Sequence, residues 1–151
     1  MLTQTGEYAL RAMVYMARKG ANTFCGVKEI AAATGVPANY LAKILQLLAR
    51  AKVLDSQKGF GGGFKVAREL SKISLMDIVD PLERIDKFRQ CVLGQRLCND
   101  QVACPLHDTW KAISGQYLGS LTSTTLQDIA DFRRKVEKLE TAQKQAAPVE
   151  D

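Results

Sequence analysis

The sequence has only one histidine, one tryptophan and four prolines among its 151 residues, and it has no long apolar run. No stretch approaches the roughly 18 consecutive apolar residues of a membrane-spanning helix. The first twenty residues lack the basic-then-apolar order of a secretory signal. We therefore expect a cytoplasmic protein with no membrane partner. Catalysis is not expected, because no acid, base and nucleophile are grouped as an enzyme requires.

Acidic residues are scarce in the first half of the chain. Residues 1–72 carry eleven Lys and Arg against four Asp and Glu, a net charge of +7, whereas residues 73–151 carry ten against twelve, a net charge of −2. A one-sided positive charge is typical of a nucleic-acid-binding surface, because neutralised phosphates release counterions. An ordinary solvated surface is the alternative.

The first fifty residues have the pattern of a helix-turn-helix. Apolar residues at helical spacing predict a first helix over about 6–19 and a short second helix over 27–33, which Gly35 stops. A third helix is predicted from Pro37 to Ala51, since proline suits the first position of a helix. Two helices joined by a short turn that contains glycine form a helix-turn-helix.

The third predicted helix has two unlike faces. Leucine and isoleucine recur at i, i+3, i+4 and i+7 on one side, and the opposite side carries Asn39, Lys43, Gln46 and Arg50. Any surface helix has a polar face. A polar face without acidic residues, able to hydrogen-bond base edges or phosphates, favours contact with DNA.

Glycine is concentrated in one loop after this helix. Four glycines lie between 57 and 63, and alternation of apolar and polar residues at 64–66 predicts a β-hairpin, the wing of a winged-helix domain. A nucleotide-binding loop is not expected, because no Walker lysine–hydroxyl pair follows and the Rossmann order of strand, glycines and helix is missing.

The second half of the chain predicts a short helix over 74–79 and a long helix opened by Pro105. The apolar face of the long helix is large for a helix outside a winged domain, so we predict a homodimer. The residues predicted to be buried between its subunits are Trp110, Ile113, Tyr117 and Leu121.

The expected fold is mainly α with a small β-hairpin wing. The expected segments are a winged helix-turn-helix domain (1–80), a cysteine-containing cluster-binding loop (81–104), a dimerisation helix with a following helical segment (105–138) and a disordered tail (139–151).

Three of the four cysteines lie close together, in the pattern Cys91-x6-Cys98-x5-Cys104-x2-His107. Disulfides are uncommon in a reducing compartment, so clustered thiols indicate a metal or redox role. Structural zinc sites usually pair cysteines two to four residues apart, whereas iron–sulfur loops tolerate wider gaps. We predict iron–sulfur ligands, with a thiol–disulfide switch, a zinc site and unliganded core cysteines as alternatives. Cys25 is expected to be a small buried hydrophobe.

Several segments together carry a family resemblance. They are Leu2-Thr3, Tyr8-Ala9-Leu10-Arg11-Ala12, Ile30-Ala31 through Gly35-Val36-Pro37 to Tyr40-Leu41, Lys58-Gly59-Phe60-Gly61-Gly62-Gly63-Phe64, and the three-cysteine loop. Over nearly its whole length, to about Lys138, the chain resembles the Rrf-type winged-helix regulators. This family includes the iron–sulfur regulator IscR, the nitric-oxide sensor NsrR and the iron-responsive RirA.

The resemblance implies a homodimer on a pseudo-palindromic DNA duplex, with recognition helices in successive major grooves and wings at the minor groove. The residues that we expect at or near the DNA are Lys28, Pro37, Ala38, Asn39, Tyr40, Lys43, Lys58 and Gly59. Lys58 stands where the family usually has arginine, which keeps the charge but loses the planar fork of donors.

The resemblance also implies two candidates for a fourth cluster ligand. In IscR-like members it is a histidine just after the third cysteine, which matches His107. In NsrR-like members it is an acidic residue near the N-terminus of the other subunit, which matches Glu7. The six-residue gap after Cys91 is nearer the RirA-like spacing than the five residues of those two members. Both [2Fe–2S] and [4Fe–4S] therefore stay open.

These features predict a DNA-binding transcriptional regulator, with repression as the expected mode. An iron–sulfur cluster that senses redox, nitric oxide or iron status would modulate its DNA affinity. The alternative is a cluster-free regulator of the same family that responds through thiol oxidation or a small molecule.

Overall fold

The computed structural model describes residues 2–146. In this range the chain forms a mainly helical fold with one antiparallel hairpin, as predicted. The elements in chain order are α1 (Gln4–Lys19), α2 (Val27–Thr34), α3 (Ala38–Arg50), β1 (Leu54–Gln57), β2 (Gly63–Val66), α4 (Leu75–Val79), α5 (His107–Ser123) and α6 (Leu126–Ala146). Short 3-10 turns lie at Leu70–Lys72 and Ile85–Arg89.

The helix-turn-helix consists of α2 and α3. Gly35 adopts a left-handed conformation (φ 71°), and its N–H donates to the carbonyl of Ala31 at 2.9 Å, which ends α2. Pro37 is the N-cap of α3 and not its first residue, so the helix starts one residue later than predicted. Helix α1 packs against both of these helices. It starts two residues before the predicted position because the Thr3 hydroxyl accepts a hydrogen bond from the N–H of Gly6 at 3.3 Å.

The wing is the hairpin of β1 and β2, paired from Leu54 opposite Val66 to Gln57 opposite Gly63. It is attached to the connection between α1 and α2 by two backbone hydrogen bonds. The N–H of Cys25 donates to the carbonyl of Phe64 at 2.8 Å, and the N–H of Phe64 donates to the carbonyl of Cys25 at 2.9 Å. The wing is therefore fixed at its base, and its glycine loop projects beyond the strands.

One hydrophobic core joins the helix-turn-helix, the wing and the last helix. The inner face of α3 is buried as predicted, at Leu41, Ile44, Leu45 and Leu48. Leu126 and Ala130 bring α6 into the same core, where both are fully buried. The N–H of Leu126 donates to the carbonyl of Ile73 at 2.8 Å, and the N–H of Leu75 donates to that of Thr124 at 2.9 Å. Helix α6 thus completes the winged domain.

Helix α6 extends to Ala146, past the position where a tail was expected to begin. The stretch after Lys138 is rich in Glu, Gln, Lys and Ala, which are strong helix formers. Residues 147–151 of the predicted tail lie outside the described residues. Between residues 2 and 146, no helix combines the length and apolar character needed to cross a membrane.

A second, smaller apolar cluster connects α4 to α5. It consists of Val79, Ile85 and Leu121, with Phe88 and Tyr117 packed against it. Helix α4 begins with a capping box: the Ser74 hydroxyl accepts from the N–H of Asp77 at 3.1 Å, and the Asp77 carboxylate accepts from the N–H of Ser74 at 2.9 Å. This cluster connects the end of α4 to the end of α5, on either side of the cysteine loop.

Candidate cysteine site and nucleic-acid interface

The cysteine loop lies between the 3-10 turn at Ile85–Arg89 and α5. Cys98 is exposed, and Cys91 and Cys104 are half-buried. The N–H of Gly94 donates to the carbonyl of Cys91, and the N–H of His107 donates to that of Cys104, each at 2.9 Å. The loop is therefore a series of turns that brings its cysteines back toward the first residue of α5.

His107, at the start of α5, is the most buried member of this group. It is 8% exposed, and its Nδ1 lies 3.2 Å from the Cys98 Sγ. Its Nε2 lies 3.0 Å from Asp100 Oδ1, which also accepts from Lys111 Nζ at 2.9 Å. With the proton on Nε2 donated to Asp100, the lone pair of Nδ1 faces the thiol. The ring is thus held between Asp100 and Cys98, and in this tautomer its free nitrogen faces Cys98.

Charges around the loop favour this arrangement. Lys111, followed by His107, holds the pKa of Asp100 below its usual range, so Asp100 is an anion that can accept from both. Hydrogen bonds from the backbone N–H groups of Gln95 and Leu93 lower the pKa of the Cys91 thiol.

Cys98 has the opposite shift. Desolvation, followed by the neighbouring Cys91 thiol, raises the pKa of Cys98. Of this pair, Cys91 is the sulfur whose thiolate the fold stabilises.

The predicted ligands lie near one another but do not converge on one point. Cys98 Sγ lies 3.2 Å from His107 Nδ1, and the thiols of Cys91 and Cys104 are close enough to raise the pKa of Cys98. Among residues 2–146, no three His, Cys, Asp or Glu side chains are arranged to hold a metal ion. Glu7, the other candidate, lies on α1 and pairs with Arg11 at 4.0 Å.

The expected DNA contacts lie on or beside α2, α3 and the wing. All except the half-buried Ala38 are exposed: Lys28, Pro37, Asn39, Tyr40, Lys43, Lys58 and Gly59. Between α3 and the wing lies an open cleft of about 550 Å³, with Arg50, Lys52 and Lys58 in its lining. Lys52 was not among the predicted contacts, although it is basic and lies between the third helix and the wing.

Tyr40 is held in place by α1. Its hydroxyl forms a hydrogen bond with the hydroxyl of Thr5. Its ring packs edge-on against Tyr8, with centroids 5.8 Å apart and an interplanar angle of 81°. The role of Thr5 was not predictable, since no local pattern links residues that are 35 positions apart.

The residues predicted for a subunit interface have two kinds of surroundings. Trp110 donates from Nε1 to the carbonyl of Gln90 at 2.8 Å, and its ring stacks on Phe88. Tyr117 and Leu121 pack on the same segment of their own chain. Ile113, at 52% exposed, points away from it. Part of the apolar face of α5 is thus covered within one chain, and Ile113 marks the part that is open.

The chain is similar over most of its length to known regulators. The Rrf2 family model, described as an iron-dependent transcriptional regulator, matches residues 2–131. A relative in Aquifex aeolicus, described as an HTH-type transcriptional regulator, is 30% identical over 137 residues, which are 89% of this chain and 94% of its own. One in Mycobacterium tuberculosis with the same description is 32% identical over 130 residues, or 85% and 80%.

Solved structures have the same fold. CymR of B. subtilis, described as the global cysteine regulator, has a TM-score of 0.72 and 26% identity, over 87% of this chain and 97% of that chain. IscR of T. potens has a TM-score of 0.68 and 23% identity, over 99% and 93%. With the family match, the helix-turn-helix and its wing, these findings show that the chain is no enzyme and belongs to the Rrf2 family of winged-helix transcriptional regulators.

Proposed function

We propose that this regulator works as a cytoplasmic homodimer whose affinity for DNA is set by an iron–sulfur cluster. Cys91, Cys98 and Cys104 would hold the cluster, and His107 would be the fourth ligand. The observation that carries the proposal is the position of His107, whose Nδ1 faces the Cys98 sulfur at 3.2 Å while Asp100 fixes Nε2. Histidine ligands of protein metals are oriented in this way, with the second ring nitrogen bonded to a carboxylate.

The donor set fits a cluster. Thiolates are the ligands that iron–sulfur centres prefer, and hydrogen bonds to the sulfurs tune such centres. The backbone N–H groups that lower the pKa of Cys91 supply both features at that sulfur. A bound cluster would supply chemistry that oxidants, nitric oxide or iron supply can change. Cys91, Cys98 and Cys104 would hold it, the buried His107 would shield one side, and His107 would connect it to α5.

His107 is the better supported of the two candidates for the fourth ligand. It lies against Cys98 within one chain, and the Asp100–Lys111 pair holds its ring. Glu7 of the partner subunit would instead have to leave the ion pair that Glu7 forms with Arg11.

A thiol response without a cluster is the second candidate, and one contact favours it. Cys91 and Cys98 are neighbours, and the pKa of Cys91 is lowered, so this pair has the features of a disulfide-forming dithiol. CymR of S. aureus has a solved structure described as an oxidised form. Cys25 is unsuited to such a role here, since it is fully buried and burial raises the pKa of its thiol.

The DNA target follows from the proposed dimer. Two identical recognition helices related by a two-fold axis require a pseudo-palindromic duplex with half-sites about one helical turn apart, roughly 10–10.5 bp. The exposed Asn39, Lys43 and Lys58 would contact the bases and phosphates.

Anaerobic reconstitution with iron and sulfide, followed by visible absorbance and iron and sulfide analysis, tests the cluster. Cys98→Ala should lose the charge-transfer bands, whereas Cys25→Ala, a cysteine outside the loop, should keep them. His107→Ala should change the spectrum, and Glu7→Ala should not. The reverse pattern would assign the fourth position to Glu7 of the partner subunit. A normal cluster and a normal response of DNA binding in Cys98→Ala would refute the three-cysteine sensor.

A further inference from the structure

Glu83 lies where α1, the segment after α4 and α5 come together. It follows α4 in the segment that leads to the cysteine loop, and it is 8% exposed. Its Oε1 accepts from the N–H of Thr3 at 2.9 Å and from the Thr3 hydroxyl at 2.7 Å, across 80 positions of sequence. A carboxyl group at this place complements the positive end of the α1 dipole. Glu83 therefore anchors the first turn of α1.

Gly6 shows how closely the carboxyl group is fitted to α1. A Cβ at this position would overlap Glu83 Oε1 and would lie 3.1 Å from Glu83 Cδ. Only glycine leaves room for the carboxyl group against the helix. The contact between Glu83 and α1 is thus built into the sequence of both partners.

The other oxygen of the same carboxyl group is not used. Within residues 2–146, Glu83 Oε2 and the hydroxyl of Tyr117 on α5 are both buried and both lack a hydrogen-bond partner. They belong to the same part of the fold, because Tyr117 packs on the cluster that contains Val79 and Ile85. The N–H of Glu83 donates to the carbonyl of Val79 at 2.9 Å, and the carbonyl of Glu83 accepts from the N–H of Ile85 at 3.0 Å. Burial, followed by the charge of Glu83, raises the pKa of Tyr117. One atom is an acceptor and the other a donor, and buried polar atoms are normally paired. These two atoms are therefore complementary.

The first turn of α1 also reaches the DNA-binding surface. Thr5 follows the anchored Thr3 and forms the hydrogen bond with Tyr40 of α3. Tyr8, one turn further along, holds the ring of Tyr40 from the side. A displacement of the first turn of α1 is therefore passed to an exposed side chain of the helix-turn-helix.

We propose that Glu83 and Tyr117 form a joint with two positions between α5 and the DNA-binding unit. In one regulatory form the Tyr117 hydroxyl donates to Glu83 Oε2, and in the other form, which is the one described here, this bond is open. This joint rests on the function proposed above, because it gives the route from the cysteine loop through α5 to α1 and Tyr40. A packed core does not deform gradually, so coupling between distant sites needs a contact that has two discrete states. This joint is such a contact.

A double-mutant cycle on DNA affinity tests the joint. Tyr117→Phe removes the donor, and Glu83→Gln replaces the carboxylate acceptor with a group of the same shape. The ligand is a duplex selected by the wild-type protein from a random-sequence pool, and the response is the ratio of its Kd values with and without the reconstituted cluster. Each single variant should reduce the response about tenfold, the effect of one hydrogen bond to a charged group. The double variant should reduce it no further.

Tyr15→Phe is the matched control. It removes a tyrosine hydroxyl that donates to Glu29 at 2.7 Å, away from Glu83, and it should leave the response unchanged. Tyr117→Phe deletes only an unpaired oxygen, so it should fold like the wild type. Its response of DNA affinity to the cluster therefore tests the joint even if Glu83→Gln unfolds. An unchanged response in Tyr117→Phe, or additive effects in the cycle, would overturn the joint while cluster sensing stands.

A wild type whose DNA affinity is the same with and without a cluster would overturn the proposed function. The joint can then be tested by an experiment that does not need the cluster. The protein is labelled with 3-fluorotyrosine, and the Tyr117 signal is assigned by its loss in Tyr117→Phe. Addition of the duplex should shift this signal in the wild type and not in Glu83→Gln. A Tyr117 signal that does not respond to the duplex overturns the joint.

Discussion

Replacement of Gly63 by alanine should loosen the wing from the helix-turn-helix. Gly63 opens β2 with a φ of 134°, which residues that carry a Cβ rarely adopt. A Cβ at this position would lie 2.7 Å from the carbonyl carbon of Cys25 and 3.0 Å from the nitrogen of Gly26. These are backbone atoms, so no side-chain rotation relieves the overlap. The neighbouring Phe64 forms both hydrogen bonds that attach the wing to Cys25.

The expected loss of stability has two parts. A residue held in a sparsely populated backbone conformation costs about 1–3 kcal/mol. Weakening of the two hydrogen bonds between Phe64 and Cys25 adds about 0.5–1.5 kcal/mol for each bond. The free energy of unfolding should therefore fall by about 2–6 kcal/mol, a large share of the roughly 5–15 kcal/mol that stabilises a typical domain.

Gly61→Ala is the matched control for this change. Gly61 also has a positive φ, 74°, but no atom lies within 4 Å of the position of its added Cβ. It should cost only about 1–2 kcal/mol, the penalty of the left-handed conformation itself. Urea unfolding followed by circular dichroism gives both free energies. Equal losses in the two variants would refute the claim that close approach to Cys25 is what requires glycine at position 63.

Three further predictions concern DNA binding, assembly and pH. Lys43→Ala should weaken DNA binding and reduce the slope of log Kd against log salt by about 1, whereas Lys135→Ala on α6 should leave that slope unchanged in a gel-shift titration. Ile113→Asp places a charge on the open apolar part of α5 and should dissociate the proposed dimer in sedimentation experiments. A wild type that is monomeric at micromolar concentration would contradict this interface. Hydrogen bonds from the backbone and hydroxyl of Thr125 lower the pKa of Asp128, so this carboxylate stabilises the fold above the usual pKa of Asp and stops doing so as the pH falls through its lowered value. Thermal unfolding of Asp128→Asn should depend less on pH below about 4 than that of the wild type, and identical profiles would show that this cap does not titrate with folding.

Local patterns were sufficient to predict the helix-turn-helix and the wing. The turn needs Gly35, the third helix needs its alternating faces, and the α4 capping box needs Ser74 and Asp77, all within a few residues of one another. Such features are visible because periodicity and caps act over one or two turns.

The contacts that link distant segments were not predictable in this way. The bond between Glu83 and Thr3 spans 80 positions, and the only local trace of it is a glycine in the first turn of a helix, Gly6. The apolar face of α5 was assigned wholly to a second subunit, because the sequence gives no sign that Phe88 and its neighbours cover Trp110 and Tyr117. Tertiary packing decides which residues cover an apolar helix face, whereas periodicity shows only that the face is apolar and must be buried.

The cysteine site was predictable in part. The spacing identified the three cysteines and His107, since soft ligands stand out in a sequence with few of them. Nothing in that spacing indicates that Asp100 and Lys111 hold the imidazole ring, because the loop between them has no periodic structure.

The return of α6 to the core has a consequence for the order of events during synthesis. The core that α1, α2 and α3 begin is closed by Leu126 and Ala130, which leave the ribosome after the whole cysteine loop. Domains form as units while the chain emerges. A nascent chain therefore exposes Cys91, Cys98 and Cys104 before the last helix has closed the core of its winged domain. Insertion of a cofactor at that stage would precede completion of the fold, and the two processes would compete with proteolysis of the same unfinished intermediate.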